Sequence, residues 1–147
     1  MDSKLEKKLC QKYTEFFGQT KLSPRESCMA FGIECGNGWY DIIEEFCSFL
    51  HESCKAWSFT DYDKDLKKDT EPKHKERKFE FTQIKEKFGT LSLYYTTNSK
   101  TYADMANVMS IWADWKSAKT CEICGEVGKI NYKEYWLKCR CDKHKDS

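Results

Sequence analysis

Hydrophobic residues recur every three or four positions in two long stretches of the chain, and this spacing predicts amphipathic α-helices. In residues 39–57 the apolar side chains share one face and acidic side chains occupy the other. That apolar face consists of Trp39, Ile43, Phe46, Leu50, Cys54 and Trp57, with Ile42 and Phe49 at its flank. Residues 100–118 carry two apolar stripes, so we expect a central helix packed between other elements. The stripes are Tyr102, Met105, Ala106, Met109, Trp112 and Ala113, and Val108, Ile111 and Trp115.

Two shorter helices are predicted closer to the N-terminus. Residues 4–17 place their apolar side chains on one face and are followed by Gly18, a residue that favours helix termination. The segment 23–26, Ser-Pro-Arg-Glu, has the residues of a helix start, with serine as the cap and proline in the first turn. This helix must be short, because the glycine-rich segment 35–38 soon follows and predicts a turn.

A β-hairpin is predicted between the two long helices. Residues 79–88 and 91–97 are rich in aromatic and β-branched side chains, and Gly89-Thr90 separates them. The apolar positions of the first run change parity after Phe81, which predicts a β-bulge. Residues 61–78, with seven basic and six acidic side chains, predict a solvated loop, or alternatively a docking strip for a charged partner.

The C-terminal segment has the spacing of a metal site. Cys121 and Cys124 flank two residues and precede a glycine, and Cys141 and His144 repeat that spacing at the end of the chain. Two such pairs complete the four ligands of a tetrahedral zinc ion, and the apolar residues between them are enough for two short strands of a zinc ribbon. Cys139 is the alternative to either member of the second pair. A closed site of this kind is structural, because it leaves no position for water or substrate.

These patterns predict an α+β fold, in which helices pack on a β-hairpin or small antiparallel sheet and a zinc ribbon follows. We expect one helical and hairpin domain over residues 1–118 and a zinc-ribbon module over residues 119–147, with one structural Zn²⁺. The length of 147 residues is enough for such a domain to bury a core without disulfides.

Composition and charge restrict the function. The formal net charge of +1 lacks the basic excess typical of nucleic-acid binders. No stretch reaches the roughly 18 apolar residues of a membrane span, and the charged N-terminus does not resemble a signal peptide. We therefore expect a cytoplasmic protein without membrane association, in which the nine cysteines are reduced or bound to metal.

A second metal site is a further hypothesis. Cys47, His51 and Cys54 lie four and three residues apart on the predicted helix, with Cys35 close by, and the alternative is that the cysteines are small core residues. The chain contains no phosphate-binding glycine loop, no H-E-x-x-H and no G-x-S-x-G motif. We therefore expect no enzymatic activity and no catalytic residue.

Three segments together resemble a known family. They are 32–43 (GIECGNGWYDII), 83–91 (QIKEKFGTL) and 117–125 (SAKTCEICG), the last with the closing Cys-Asp-Lys-His at 141–144. This order is similar to that of small uncharacterised proteins encoded by bacteriophages, prophages and bacteria, with a C-terminal C-x-x-C-G…C-x-x-H zinc module. The resemblance covers about residues 32–144; the charged loop and Cys139 depart from it. It implies a phage-type accessory role in the cytoplasm of a bacterial host, and small phage proteins of that sort often bind host proteins, including components of antiviral defence.

Three functional hypotheses follow. The first is a non-enzymatic protein that binds, and could inhibit, a host protein through Tyr94, Tyr95, Trp136 and the acidic helix face. The second is nucleic-acid binding by the ribbon, where Trp136 and Tyr132 would stack on bases and basic residues would contact phosphates. Those basic residues are Lys129, Lys133, Lys138, Arg140, Lys143 and Lys145. The third is an enzyme with an active site around Cys47, His51 and Cys54, and the remaining possibility is sequestration of a small ligand in an aromatic pocket. The sequence leaves the oligomeric state open.

Overall fold

The computed structural model describes residues 1–57, 77–133 and 136–147, and of residues 54–57 and 133 it describes the backbone alone. The described residues form three helices, a three-stranded sheet and a two-stranded sheet, which confirms the predicted α+β class. The helices are α1 (Ser3–Lys12), α2 (Tyr40–Trp57) and α3 (Lys100–Ser117). The strands are β1 (Ile33–Glu34), β2 (Phe79–Lys87), β3 (Thr90–Thr97), β4 (Lys129–Lys133) and β5 (Trp136–Arg140). The predicted charged loop lies outside the described residues except for positions 77 and 78.

Helix α1 is shorter than predicted. Asp2 caps it by accepting hydrogen bonds from the backbone of Lys4 and Leu5, and it ends at Lys12 rather than continuing to Phe17. Phe16 and Phe17 are both buried, and the Phe16 carbonyl accepts a hydrogen bond of 2.9 Å from the Phe81 backbone. The tertiary contacts of these adjacent aromatics therefore outweigh the local preference for helix.

The predicted helix at residues 23–26 is also wrong. Glu26 accepts hydrogen bonds from both the backbone and the hydroxyl of Ser23, as in a capping box, but only one turn forms. A short 3-10 helix, Cys28–Phe31, follows with Ser27 as its cap. Gly32, with φ of 76°, ends it and turns the chain into β1.

Helix α2 and the hairpin agree with the sequence patterns. The apolar face of α2 is buried through Ile43, Phe46 and Leu50, whereas Phe49 at its flank is exposed. Strands β2 and β3 pair antiparallel, and their register shifts between Phe81 and Gln83, which confirms the predicted bulge. The two-residue strand β1, which the sequence patterns do not indicate, adds to β2 in parallel.

Helix α3 does not have the predicted central position. It packs on β3 and α2 through the stripe that includes Ala106 and Ala113, both fully buried. The second stripe, Val108, Ile111 and Trp115, is exposed. The second apolar stripe is therefore a surface feature and not part of the core.

Aromatic side chains form the centre of the core. The Phe79 ring lies 5.2 Å from the rings of both Phe16 and Phe81, and Phe46 lies 5.6 Å from Phe81, measured between centroids. Burial of a large apolar side chain contributes about 1.5–3 kcal/mol, so this cluster strongly joins the segment after α1 to α2 and β2. Trp39 is fully buried at the start of α2 and extends the core toward the C-terminal segment.

Candidate metal centre

Two tight turns present the four predicted ligands to one point. In the first turn, the Gly125 N–H donates to the Cys121 carbonyl at 2.9 Å, and Gly125 adopts φ of 78°. In the second, the His144 N–H donates to the Cys141 carbonyl at 3.0 Å within a single 3-10 turn. Strands β4 and β5 join the turns as an antiparallel ribbon and bring the first cysteine pair to the second.

The ligand atoms have the spacing of a tetrahedral site. One ligand atom from each of Cys121, Cys124, Cys141 and His144 lies within 4.8 Å of the others. The Cys124 and Cys141 sulfurs are 3.7 Å apart, and His144 Nδ1 lies 3.6 Å from the Cys121 sulfur and 3.3 Å from that of Cys141. Tetrahedral zinc with bonds of about 2.3 Å to sulfur requires sulfur–sulfur edges of about 3.8 Å. The cluster therefore fits a zinc site in donor type and in size.

The thiols of the cluster differ in their electrostatic environment. Burial raises the pKa of the Cys121 thiol, but hydrogen bonds from the backbone of Cys141 and Cys124 outweigh burial and bring this pKa to about 6. The backbone of Glu126 lowers the pKa of Cys124, yet desolvation and the two neighbouring sulfurs raise it overall. One thiolate is therefore stabilised by the protein, and further thiolates beside it need a cation to balance their charge.

Cys139 lies outside the cluster. Its side chain is fully buried among the hydrophobic core residues, and burial raises the pKa of its thiol to about 11. The alternation of side chains along β5 explains this position, because Cys139 faces the core beside Ile130 of β4. Of the two candidates for the third ligand, the structure brings Cys141 to the site.

A buried ion pair supports the first cysteine turn. Arg140 Nη1 donates to Glu122 Oε2 at 2.7 Å, and both side chains are about 90 % buried, with exposures of 10 % and 9 %. Glu122 Oε1 also accepts from the Gly36 N–H at 3.0 Å. Loss of one partner of a buried pair leaves an uncompensated charge and costs about 3–5 kcal/mol. The pair therefore fixes the turn both to β5 and to the segment before α2.

The segment before α2 fits closely against the same turn. The Gly38 N–H donates to the Glu122 carbonyl at 2.8 Å, and Trp39 Nε1 donates to the Thr120 carbonyl at 2.8 Å. A Cβ atom on Gly38 would lie 2.1 Å from the Cys121 carbonyl oxygen, and one on Gly36 would lie 2.2 Å from that of Glu122. Both positions require glycine because the two backbones are nearly in contact.

The hairpin turn also contacts the ribbon. Lys138 of β5 forms an ion pair of 2.6 Å with Glu86 of β2, and a Cβ on Gly89 would lie 3.3 Å from the Ile130 side chain. Phe88 and Gly89 both have positive φ, 54° and 82°, which produces a tight two-residue turn. The predicted boundary between a domain of residues 1–118 and a module of residues 119–147 stays a prediction. In the structure, side chains on the two sides of this boundary are in close contact.

The other predicted binding residues occupy different environments. Trp136 is exposed and Tyr94 is 39 % exposed, whereas Tyr95 is half-buried with its ring 4.9 Å from that of Phe79. Arg140 is buried in an ion pair with Glu122, and Lys138 forms an ion pair with Glu86. Arg140 therefore does not fit the predicted role of a surface contact for phosphates or a partner.

The hypothesis of a second metal on α2 receives no support. Cys47 is fully buried in the core, and burial holds the pKa of its thiol well above the usual value. His51 Nδ1 lies 2.7 Å from Glu15 Oε1, and the Cys54 side chain is outside the described residues. Within ranges 1–57, 77–133 and 136–147, the C-terminal cluster is the group with metal-ligand spacing.

Sequence reasoning missed four residues that shape the site and its surface, namely Gly36, Gly38, Glu122 and Phe88. Two glycines separated by one residue before a buried tryptophan are a signal for close backbone contact, beyond the turn that they predict. A carboxylate inside a C-x-x-C turn, with an arginine beside the closing cysteine, is a signal for the ion pair.

The fold and the site define the chain as an α+β protein with a closed three-cysteine, one-histidine cluster on a C-terminal ribbon. Comparison of the chain with protein-family models, with curated proteins and with solved structures finds no match. None of the helices within the described residues combines the length and the apolar character needed to cross a membrane.

Proposed function

We propose that Cys121, Cys124, Cys141 and His144 bind one Zn²⁺ ion and that this ion has a structural role. The observation that carries the proposal is the tetrahedral spacing of three sulfurs and one imidazole nitrogen. Four protein ligands leave no open coordination position for a substrate or a reactive water molecule. The ion holds the two cysteine turns together, and through Glu122 it also fixes the segment before α2.

The metal assignment is tested by measuring the zinc content of purified protein. We expect one zinc per chain in the wild type and in Cys139→Ser, and strongly reduced zinc in Cys124→Ser. Cys28→Ser, at an exposed cysteine outside the cluster, is the matched control and retains the metal. Loss of zinc in Cys139→Ser with retention in Cys141→Ser would assign the third ligand to Cys139 instead.

We further infer that the protein is not an enzyme and acts by binding a host protein, as expected for a phage-type accessory protein. The candidate contact residues, which we call the ribbon surface, are Phe88 of the hairpin turn, Ile130 and Tyr132 on one face of the ribbon, and Trp136, which pairs with Lys133 and lies on the opposite face. These four side chains are exposed, three of them by more than two thirds: Phe88 71 %, Tyr132 69 % and Trp136 68 %. Exposed aromatic residues on a rigid support are the usual centres of protein–protein interfaces.

Phe88 supports this surface most directly. Its φ of 54° lies in the left-handed region, where a non-glycine residue costs about 1–2 kcal/mol, and where asparagine or glycine would relieve the strain. Its ring remains exposed, with Lys87 Nζ 5.5 Å from the centroid. An exposed aromatic side chain at a strained backbone position adds little to the stability of the fold. Contact with a partner would explain why an aromatic residue occupies this position.

Nucleic-acid binding is a less favoured alternative. The ribbon retains exposed basic side chains such as Lys129 and Lys143, together with Trp136. However, Arg140 and Lys138 are held in ion pairs with Glu122 and Glu86, and the overall charge is only +1. A host protein is therefore the better-supported partner.

The test is recovery of tagged protein from bacterial host cells with and without nuclease, followed by mass spectrometry. We expect one dominant protein that survives nuclease and is lost with Phe88→Asn and with Trp136→Ser. Phe31→Asn, the same substitution at an exposed phenylalanine in the 3-10 turn before β1, is the matched control and retains the partner. A partner that remains with Phe88→Asn and Trp136→Ser would contradict the ribbon surface, and material lost on nuclease treatment would favour nucleic acid.

A further inference from the structure

The outer face of α3 carries an apolar stripe that the fold leaves uncovered. Val108 is 65 % exposed, Ile111 66 % and Trp115 55 %. At about 100° per residue these three side chains lie opposite Ala106 and Ala113, which are fully buried against the rest of the protein. The stripe is therefore separate from the helix face that packs in the core.

Opposite charges mark the two ends of this stripe. Asp104 lies one turn before Val108 and is exposed, and it forms an ion pair with Lys100 one turn further toward the start of the helix. Both side chains of this pair are exposed, so the Asp104 carboxylate stays accessible to a charge on a second copy. Lys119 follows the helix, and its Nζ lies 4.0 Å from the centroid of the Trp115 ring, which places the positive charge on the stripe. The α3 stripe, from its N-terminal end to its C-terminal end, thus consists of Asp104, Val108, Ile111, Trp115 and Lys119.

The α3 stripe is complementary to itself in the antiparallel direction. If two copies cross at a two-fold axis between positions 111 and 112, Val108 of each copy lies opposite Trp115 of the other. The same axis places Asp104 of each copy opposite Lys119 of the other, so that the charges at both ends attract. A parallel arrangement would instead place Asp104 beside Asp104 and Lys119 beside Lys119. Both the apolar and the charged positions therefore favour one symmetric, antiparallel register.

We propose that a second copy of this chain docks on the α3 stripe and forms a two-fold symmetric, antiparallel α3–α3 pair. Ile111 lies next to the axis and is the centre of the interface. The ribbon surface is not part of this contact, so the pair does not depend on the proposed host-protein binding.

The size of the stripe determines the strength of the pair. A stable interface buries about 800 Å² on each partner, and one helix with three large apolar side chains provides less than this area. The fraction of dimer should therefore rise with protein concentration, with a Kd on the order of 100 µM. Sedimentation velocity between about 5 and 500 µM covers this range.

A charge-exchange experiment tests the register directly. Asp104→Lys gives a copy with two positive ends, and Lys119→Asp gives a copy with two negative ends. Each variant alone should dimerise at least about fivefold more weakly than the wild type, because both end pairs become repulsive. An equimolar mixture of the two should recover dimerisation as a heterodimer, since both end pairs are again attractive.

Two further variants complete the test. Ile111→Glu places two like charges beside the axis and should leave only monomer. Lys116→Glu reverses a charge about 100° around the helix from Trp115 and should dimerise as the wild type does. Unfolding curves of each variant verify that it is folded. A wild type that stays monomeric up to 500 µM, or a mixture that dimerises no better than its components, would overturn the proposal.

Discussion

At the scale of single residues, Gly38 is the position where two distant parts of the backbone approach most closely. Gly38→Ala would place a Cβ 2.1 Å from the Cys121 carbonyl oxygen and 2.4 Å from the Gly125 nitrogen. Backbone atoms on both sides cannot move aside, so we expect a loss of about 3 kcal/mol or more in the free energy of unfolding. Denaturant unfolding of wild type and variant, both supplied with Zn²⁺, measures this loss.

Gly18→Ala is the matched control for Gly38→Ala. Its Cβ would meet the Glu80 carboxylate at 2.3 Å, but that group is the end of a flexible side chain and can adopt another rotamer. The expected cost is below about 1 kcal/mol. Equal unfolding midpoints for the two variants would contradict the close backbone contact at Gly38.

Glu44 makes the stability of the contact between α1 and α2 depend on pH. Lys12 and Tyr13 donate hydrogen bonds to its carboxylate and hold its pKa below the usual 4.5. The contribution of Glu44 is therefore fully present above pH 4.5 and is lost as the pH falls through its lower pKa in the folded protein. Wild type should exceed Glu44→Gln in stability at pH 6.5, and the difference should shrink below pH 4.5.

Urea unfolding of both proteins at each pH isolates this effect, because acid-induced loss of metal affects wild type and variant alike. Glu45→Gln, at an exposed position of the same helix, controls for the removal of one negative charge. A difference between wild type and Glu44→Gln that increases on acidification would show that the carboxylate is not stabilised by these partners.

At the scale of elements, sequence patterns predict the helices and strands that local residue spacing determines. They do not predict the element boundaries that depend on contacts with distant residues. The period of α2 and the change of parity in β2 are visible in the sequence, and the helix and the bulge both form. The end of α1 is not visible, because Phe16 leaves the helix to accept a hydrogen bond from Phe81, 65 residues further along the chain. Strand β1 has two residues and exists through its pairing with β2, so no local signal marks it.

The two apolar stripes of α3 should differ in their contribution to stability. Periodicity alone does not tell which stripe is buried, but the structure does. Val108→Gln and Ile111→Gln should change the free energy of unfolding by less than about 0.5 kcal/mol at low micromolar concentration, where the proposed pair is dissociated. Ala113→Leu, on the buried stripe, should destabilise by about 1–3 kcal/mol because it overfills the core. A large loss in both glutamine variants would mean that the second stripe is covered in the monomer.

At the scale of the whole molecule, segments 32–43, 83–91 and 117–125 meet at one place. The 32–43 segment contributes the glycines that admit the first cysteine turn, and the 83–91 segment contributes Glu86 and the hairpin turn beside the ribbon. The spacing of the ligands predicts the cluster. The bonds that attach it to the rest of the protein join Glu122 to Gly36, 86 residues apart, and Lys138 to Glu86, 52 residues apart. Local sequence patterns do not predict contacts between residues so far apart in the chain.

This arrangement predicts how the protein responds to removal of the metal. Without the ion, the repulsion among three sulfurs and the loss of four bonds should open the cysteine turns, while the aromatic core remains packed. After treatment with a chelator, amide hydrogen exchange should accelerate in the described part of 119–147. It should also accelerate at Gly36 and Gly38, whose amides donate to Glu122, and at the hairpin turn.

The middle of α2 should keep its protection, because Ile43, Phe46 and Leu50 are buried independently of the ribbon. Re-addition of Zn²⁺ should restore the original exchange rates, and Cys124→Ser should resemble the chelated protein without any chelator. Uniform acceleration across α2 and the ribbon would mean that the ion stabilises the entire fold, whereas faster exchange confined to 119–147 would mean that the contacts at Gly36 and Gly38 do not depend on it. The expected intermediate pattern would identify the proposed ion as the link that holds the ribbon, the glycine segment and the hairpin turn together.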